Sequence, residues 1–155
     1  MTIVVYDGSS IAVDRGATDG YTMWEMEKVW QVGDKILTGV GNISAVLSMK
    51  AWYIKGCNLN DFPSEQLLPD RWCEFIVVSR EGLQRYERSP NPIEHGKSKC
   101  AFGTGKDFAY GALAMGATAT QCVEIANKYS NYCGMGYIVY KFGENNDITK
   151  EEVKS

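Results

Sequence analysis

Apolar and β-branched residues run without a break through Ile3-Val4-Val5-Tyr6, and after the turn dipeptide Asp7-Gly8 an extended pattern resumes from Ser10 to Arg15. The two segments read as an antiparallel hairpin. Alternation along the second puts Ser10, Ala12 and Asp14 on one face and Ile11 and Val13 on the other, so Asp14 ends the strand on its smaller, less apolar side. A loop holding Gly16 and Gly20 leads to one extended run over 22–32, which Gly33-Asp34 turns into Lys35-Ile36-Leu37-Thr38 as a second hairpin. Lys28 shares a face of that run with Met26, Trp30 and Val32. Lysine is seldom fully buried without a partner, and strand pattern alone favours an edge position with the ammonium in water.

Gly39-Val40-Gly41-Asn42 closes that strand, and Ile43, Val46, Leu47, Lys50, Ala51 and Ile54 then recur at helical spacing, with Asn42 as cap and Gly56 as stop. A strand that passes through glycines into a helix exposes backbone N–H groups able to hold developing negative charge; a plain tight turn would look the same. Residues 57–72, with Pro63 and Pro69, read as a loop with at most a short helical turn. Cys73 to Ser79 and Leu83 to Arg88 form a third hairpin across Glu81-Gly82, and Pro90-Asn91-Pro92 opens a polar loop on which His95 is expected at the surface. A short strand, Lys99 to Phe102, enters a helix through Gly103-Thr104-Gly105; the spacing and lysine of a phosphate-binding loop are missing. Ala109, Gly111, Ala112 and Ala114 make the helix narrow enough for close packing. Thr118 with Gln121 is a capping box for the next helix, whose apolar stripe is Cys122, Ile125, Ala126 and Tyr129. Tyr137 to Phe142 is a last strand, and 143–155 is expected to be a polar tail outside a single domain over 1–142. Strands in blocks and helices in pairs indicate an α+β fold.

The apolar start gives Thr2 an unusual setting. If Met1 is removed, Thr2 carries a free α-amine of ordinary pKa about 7.7–8.0 beside its own hydroxyl, which is the self-activating form of a threonine nucleophile. Composition narrows the remaining classes. A net charge of -3 gives no electrostatic footprint for nucleic acid. Five cysteines without paired spacing and a single histidine argue against a disulfide framework or a zinc site, and no cofactor is implied. No apolar run is as long as a membrane span and the first residues lack the pattern of a secretory signal, so a cytoplasmic protein without membrane contact is expected.

Taken together, Met1-Thr2-Ile3-Val4-Val5, Ala12-Val13-Asp14-Arg15, Lys28-Val29, Asp34-Lys35-Ile36-Leu37-Thr38-Gly39, Phe102-Gly103-Thr104-Gly105, Ala109-Tyr110-Gly111-Ala112 and Gly116-Ala117-Thr118-Ala119 resemble the proteasome β-subunit and bacterial HslV peptidase family of N-terminal-nucleophile (Ntn) hydrolases, most of all its short phage-encoded members. The resemblance runs nearly to Phe142. It implies a four-layer αββα sandwich with Thr2 as nucleophile, Asp14 as the conserved acid, Lys28 as a buried lysine and Gly39 as the oxyanion-binding N–H. Thr104 stands where the family has serine. Ser130 and Cys133, before Gly134-Met135, stand where proteasome subunits carry an Asp and then a Ser. The implied activity is hydrolysis of peptide bonds in peptides or unfolded proteins by a threonine peptidase inside a homo-oligomeric ring, with an ATPase unfoldase among the implied partners. Hydrolysis of a small amide by the same fold, or an inert structural homologue, are the alternatives.

Overall fold

The computed structural model describes residues 2–155. Strands β1 (Ile3–Tyr6) and β2 (Ser10–Asp14) form the expected hairpin, with Val4 opposite Val13 and Tyr6 opposite Ile11. Gly8 at the turn has φ of +97°, a value that suits glycine. The strands β3 (Gly16–Thr18) and β4 (Met23–Glu25) pair with each other alone. Then come β5 (Val29–Val32), β6 (Lys35–Gly41), α1 (Ile43–Ile54), β7 (Cys73–Ser79), β8 (Gly82–Tyr86), β9 (Ile93–Gly96), β10 (Cys100–Gly103), α2 (Lys106–Ala114), α3 (Ala119–Tyr129), β11 (Tyr137–Phe142) and β12 (Ile148–Val153). One five-stranded sheet has the order β10-β1-β2-β11-β12 and the other β5-β6-β7-β8-β9; the pairings are antiparallel. The chain is α+β.

Three apolar clusters follow from the period of two along each strand. In β1, Val4 and Tyr6 join residues of both sheets, including Ile36, Ile76 and Val78, in one cluster. Ile3 and Val5, on the opposite face, pack with Ala109, Leu113, Cys122 and Ala126 of α2 and α3. Leu37, Phe75 and Val77 of the second sheet pack with Ala45, Val46, Met49 and Trp52 of α1. Ile3, Val4 and Val5 are all 0% exposed, and full burial of such a side chain contributes about 1.5–3 kcal/mol. The first strand is therefore clamped from both sides. Asn42 caps α1, its side chain accepting from Ala45 N at 3.1 Å, and Thr118 and Gln121 close both bonds of the capping box on α3.

Several sequence expectations change. The run over 22–32 is two strands: Met26 N donates to Arg15 O at 2.7 Å, extending the β3–β4 ladder, and the chain then crosses to the second sheet through Glu27 and Lys28. Gly16 lies in a strand and not a loop, because β3 needs only three residues to pair with β4. β6 continues through Gly39 and Gly41, held by β7 opposite Phe75 and Cys73. His95 is on the edge strand β9 and partly buried, with its ring edge-on to Phe102 at 5.7 Å. The expected polar tail contains β12, which pairs along the whole of β11. Its hydropathy gave no alternation because β12 is an edge strand: Ile148 and Val153 alone touch the apolar clusters, while Thr149 to Glu152 are exposed.

Candidate active site

The start of β1, the end of β2 and the crossing before β5 meet at one point. Lys28 reaches it because Thr38 Oγ1 donates to the Lys28 carbonyl at 2.6 Å, fixing the backbone where the chain enters the second sheet. The ammonium then donates to Thr2 Oγ1 at 2.5 Å, to Asp14 Oδ1 at 2.8 Å and to the Gly16 carbonyl. An ammonium has three N–H donors, and each has an acceptor. The Thr2 hydroxyl donates to Asp14 Oδ1, Ile3 N donates to the same oxygen at 3.1 Å, and Gly134 N donates to Asp14 Oδ2 at 3.2 Å. Thr2, Asp14 and Lys28 are 4%, 1% and 5% exposed, so the ion pair is buried and its hydrogen bonding is complete. That is the condition under which a buried pair is tolerated. Burial lowers the Lys28 pKa from its ordinary value, and the charge and hydrogen bond of Asp14 oppose the shift. The strand-edge alternative for Lys28 is thereby excluded.

The point opens on a cavity of about 760 Å³ lined by Thr2, Lys28, Gly39 and Gly103 among others. β5 pairs with β6 only as far as Val29 opposite Thr38, so β6 from Gly39 onward has no strand on that edge. A side chain at Gly39 would bring its Cβ within 2.8 Å of Val46 and 2.9 Å of the Glu74 carbonyl. Gly103 has φ of +98°, and a Cβ there would strike the Thr2 carbonyl. Both glycines are required by close approach.

The accessory residues behave differently from the central three. Thr104 lines the cavity, but its contact with Thr2 is through the backbone, Thr104 N donating to Thr2 O at 2.9 Å. Ser130 ends α3 and interacts with the Cys133 thiol, and its Oγ accepts from Tyr132 N at 3.2 Å. Cys133 is buried against the start of α2, where a Cβ on Gly105 would lie 2.9 Å from its sulfur. Burial, then the Asp14 charge, pushes its pKa up to about 11, so it is a neutral thiol. Neither Ser130 nor Cys133 hydrogen-bonds Thr2. Their segment reaches the centre instead through Gly134 N, presented by a backbone that turns through positive φ at Met135 (+63°) and Gly136 (+81°). The fate of Met1, on which the sequence reading of Thr2 depends, lies outside the described residues.

Sequence reasoning missed Gly16 and Gly134, which act through backbone atoms that leave no side-chain signature. It also missed the cavity walls: Trp24 and Met26 from the β3–β4 hairpin, Trp72 before β7, and Glu74, Arg85 and His95 on three successive strands. Among the described residues no three His, Cys, Asp or Glu side chains are grouped to hold a metal ion, and no helix is long and apolar enough to cross a membrane.

No family model and no curated protein sequence matches the chain. Solved structures do. The Gly-1 mutant of Anbu from Hyphomicrobium sp. strain MC1 matches with a TM-score of 0.74 at 15% identity, over 100% of this chain and 88% of that one. Eukaryotic HslV from Trypanosoma brucei matches with a TM-score of 0.60 at 18% identity, over 99% of each. At such identities the likeness is one of fold, and it extends over the whole chain.

Proposed function

We propose that the chain is an N-terminal-nucleophile hydrolase of the proteasome and HslV type, a threonine peptidase whose nucleophile is Thr2 once Met1 is removed. The observation that carries the reading is the contact of Thr2 Oγ1 with a buried Lys28–Asp14 pair at the wall of a cavity. The three clusters support the layering expected of that type: α2 and α3, the first sheet, the second sheet, then α1.

In this reading the Thr2 α-amine takes the hydroxyl proton, and Oγ1 bonds to the carbonyl carbon of the substrate amide. Lys28, already donating to Oγ1, stabilises the developing alkoxide, and Asp14 balances its charge. The carbonyl electrons move to oxygen, and the Gly39 N–H donates a hydrogen bond to the resulting oxyanion. As the tetrahedral intermediate collapses, the C–N bond breaks and the amine proton passes to the departing nitrogen. Water then adds to the acyl ester and restores Thr2. Thr104 supports this centre through its backbone contact with Thr2, and the segment of Ser130 and Cys133 supports it through the Gly134 N–H on Asp14. We further propose a cytoplasmic homo-oligomeric ring that acts on peptides or unfolded proteins, with an ATPase unfoldase as partner.

Intact mass gives the mature N-terminus, and an epoxyketone-type electrophile, which must bond to both amine and hydroxyl, reports a free N-terminal threonine. Peptide cleavage together with adduct formation at Thr2 is the expected result. Turnover of small amides without peptide cleavage would move the assignment to an amidohydrolase. A well-folded, mature protein whose Thr2 stays unmodified would refute the nucleophile.

A further inference from the structure

The cavity holds a second polar group of side chains, apart from Thr2, Asp14 and Lys28. Glu74 of β7, Arg85 of β8 and His95 of β9 all line it. They adjoin the nucleophile through Phe102, whose neighbour Gly103 abuts Thr2 and whose ring has the Arg85 guanidinium 5.9 Å and the His95 ring 5.7 Å from its centre.

The hydrogen bonding of this group is unfilled. A guanidinium has five N–H donors, and among the described residues Arg85 finds only carboxylate oxygens of Glu74 and Glu87, each at 3.6 Å. That is ion-pair distance and too long for a hydrogen bond. Arg85 Nε and His95 Nε2 are buried without partners. Arg85 and Glu74 keep 23% of their side-chain surface exposed. Burial, then the charge of Arg85, lowers the His95 pKa against the opposing charges of Glu74 and Glu94, so the imidazole is neutral near pH 7 and the local charge is set by three carboxylates, Glu74, Glu87 and Glu94, and one guanidinium.

This combination selects a ligand by exclusion. A further carboxylate would meet an excess of negative charge, and an ammonium, though drawn to the carboxylates, has no acceptor for the unfilled N–H groups of Arg85. An aliphatic group would seal the unfilled donors and acceptor away from water, which is costly. A group that is neutral, donates to Glu74 and accepts from Arg85 satisfies both. We infer that Glu74 and Arg85 form a specificity subsite for a primary carboxamide, the side chain of glutamine or asparagine in a peptide substrate. The inference rests on the reading of Thr2 as the nucleophile of a peptidase; it names the substrate class.

The test uses binding, so that it does not depend on turnover. Acetylated pentapeptide N-methylamides, with Gln, Leu, Glu or Lys placed at each position in turn, are titrated into the Thr2→Ala protein and followed by NMR. At one position Gln should bind about tenfold more tightly than Leu or Glu, the scale of one or two filled hydrogen bonds in a partly exposed site. Arg85→Met should cut that ratio below about twofold. Glu74→Gln, which preserves volume, should let Glu peptides gain on Gln peptides. Failure of every peptide to bind, binding of Leu or Lys as tight as that of Gln at all positions, or a preference that survives both Arg85→Met and Glu74→Gln overturns the subsite. A Gln preference in a protein whose wild-type Thr2 ignores the electrophile would leave the subsite standing and remove the peptidase. Cleavage without a Gln preference would do the reverse.

Discussion

Replacing Asp14 by asparagine keeps the shape of the side chain and removes the charge that faces Lys28. Two costs follow. The first depends on pH: Lys28 is left as a buried cation with no counter-ion, and breaking such a pair costs about 3–5 kcal/mol. Lys28 can escape by losing its proton. From an ordinary value of 10.5, at 1.36 kcal/mol per pH unit, holding it neutral costs at most about 5 kcal/mol at pH 7 and at most about 2 kcal/mol at pH 9. The second cost does not depend on pH. Asp14 accepts from Thr2, Ile3 and Lys28 on Oδ1 and from Gly134 N on Oδ2; an amide NH2 in the second position faces a donor, leaving an orphan worth about 1–3 kcal/mol. The sign is fixed by linkage. Burial already lowers the Lys28 pKa and Asp14 raises it back, so the variant has the lower value. Between that value and 10.5 the unfolded chain binds more protons, and stability rises with pH. Urea denaturation of Asp14→Asn and wild type should show a deficit of about 4–8 kcal/mol at pH 7, the two costs together. By pH 9 it should narrow, by at most about 2–3 kcal/mol because burial lowers the wild-type Lys28 pKa as well, without closing. A deficit below about 1 kcal/mol at pH 7, or one that is flat or wider at pH 9, would show that Lys28 does not depend on Asp14 for its charge.

Thr2→Ala and Lys28→Ala should each abolish labelling by the electrophile while leaving the far-UV spectrum unchanged, and the double variant should be no worse than either, because both residues act on one oxygen; full labelling of a folded Lys28→Ala protein would remove Lys28 from the mechanism. Gly39→Ala must move Val46 or the Glu74 carbonyl, so a loss of about 1–3 kcal/mol is expected together with slower hydrolysis, and an unchanged melting curve counts against the packing described. Thr118→Ala removes the acceptor of Gln121 N and should cost about 1 kcal/mol away from the cavity, so thermal denaturation should respond and electrophile labelling should not.

Legibility in the sequence followed the kind of signal involved. Elements with a strong period or a cap were placed well: the β1–β2 hairpin by its Asp7-Gly8 turn, α1 by Asn42 and Gly56, α3 by Thr118 and Gln121. Thr2, Asp14 and Lys28, whose side chains meet in the structure, are linked in the sequence only by a resemblance that joins positions no local pattern connects; strand pattern by itself puts Lys28 at an edge. β3 and β12 were missed for one reason: each is short or lies at an edge, and neither presents a continuous apolar face. His95 was misread because its burial depends on Phe102, which comes from a different sheet. Gly16 and Gly134 serve through C=O and N–H, which every residue possesses, so composition carries no trace of them.

The first strand sends Ile3 and Val5 into one apolar cluster and Val4 and Tyr6 into another. Thr2 therefore inherits its position from four consecutive anchors, and no further device is needed to aim its hydroxyl. The same arrangement makes the geometry intolerant of changes in length. A deletion of one residue within Ile3–Tyr6 would send each side chain before it to the opposite face, and Thr2 would turn from Lys28 toward the helices although its own identity and every contact of Lys28 with Asp14 were preserved. An insertion between Thr2 and Ile3 would spare both clusters and displace only the hydroxyl. In the proposed mechanism the nucleophile is thus placed by counting residues from the first buried strand, so a length change too small to disturb folding is expected to be enough to disarm it.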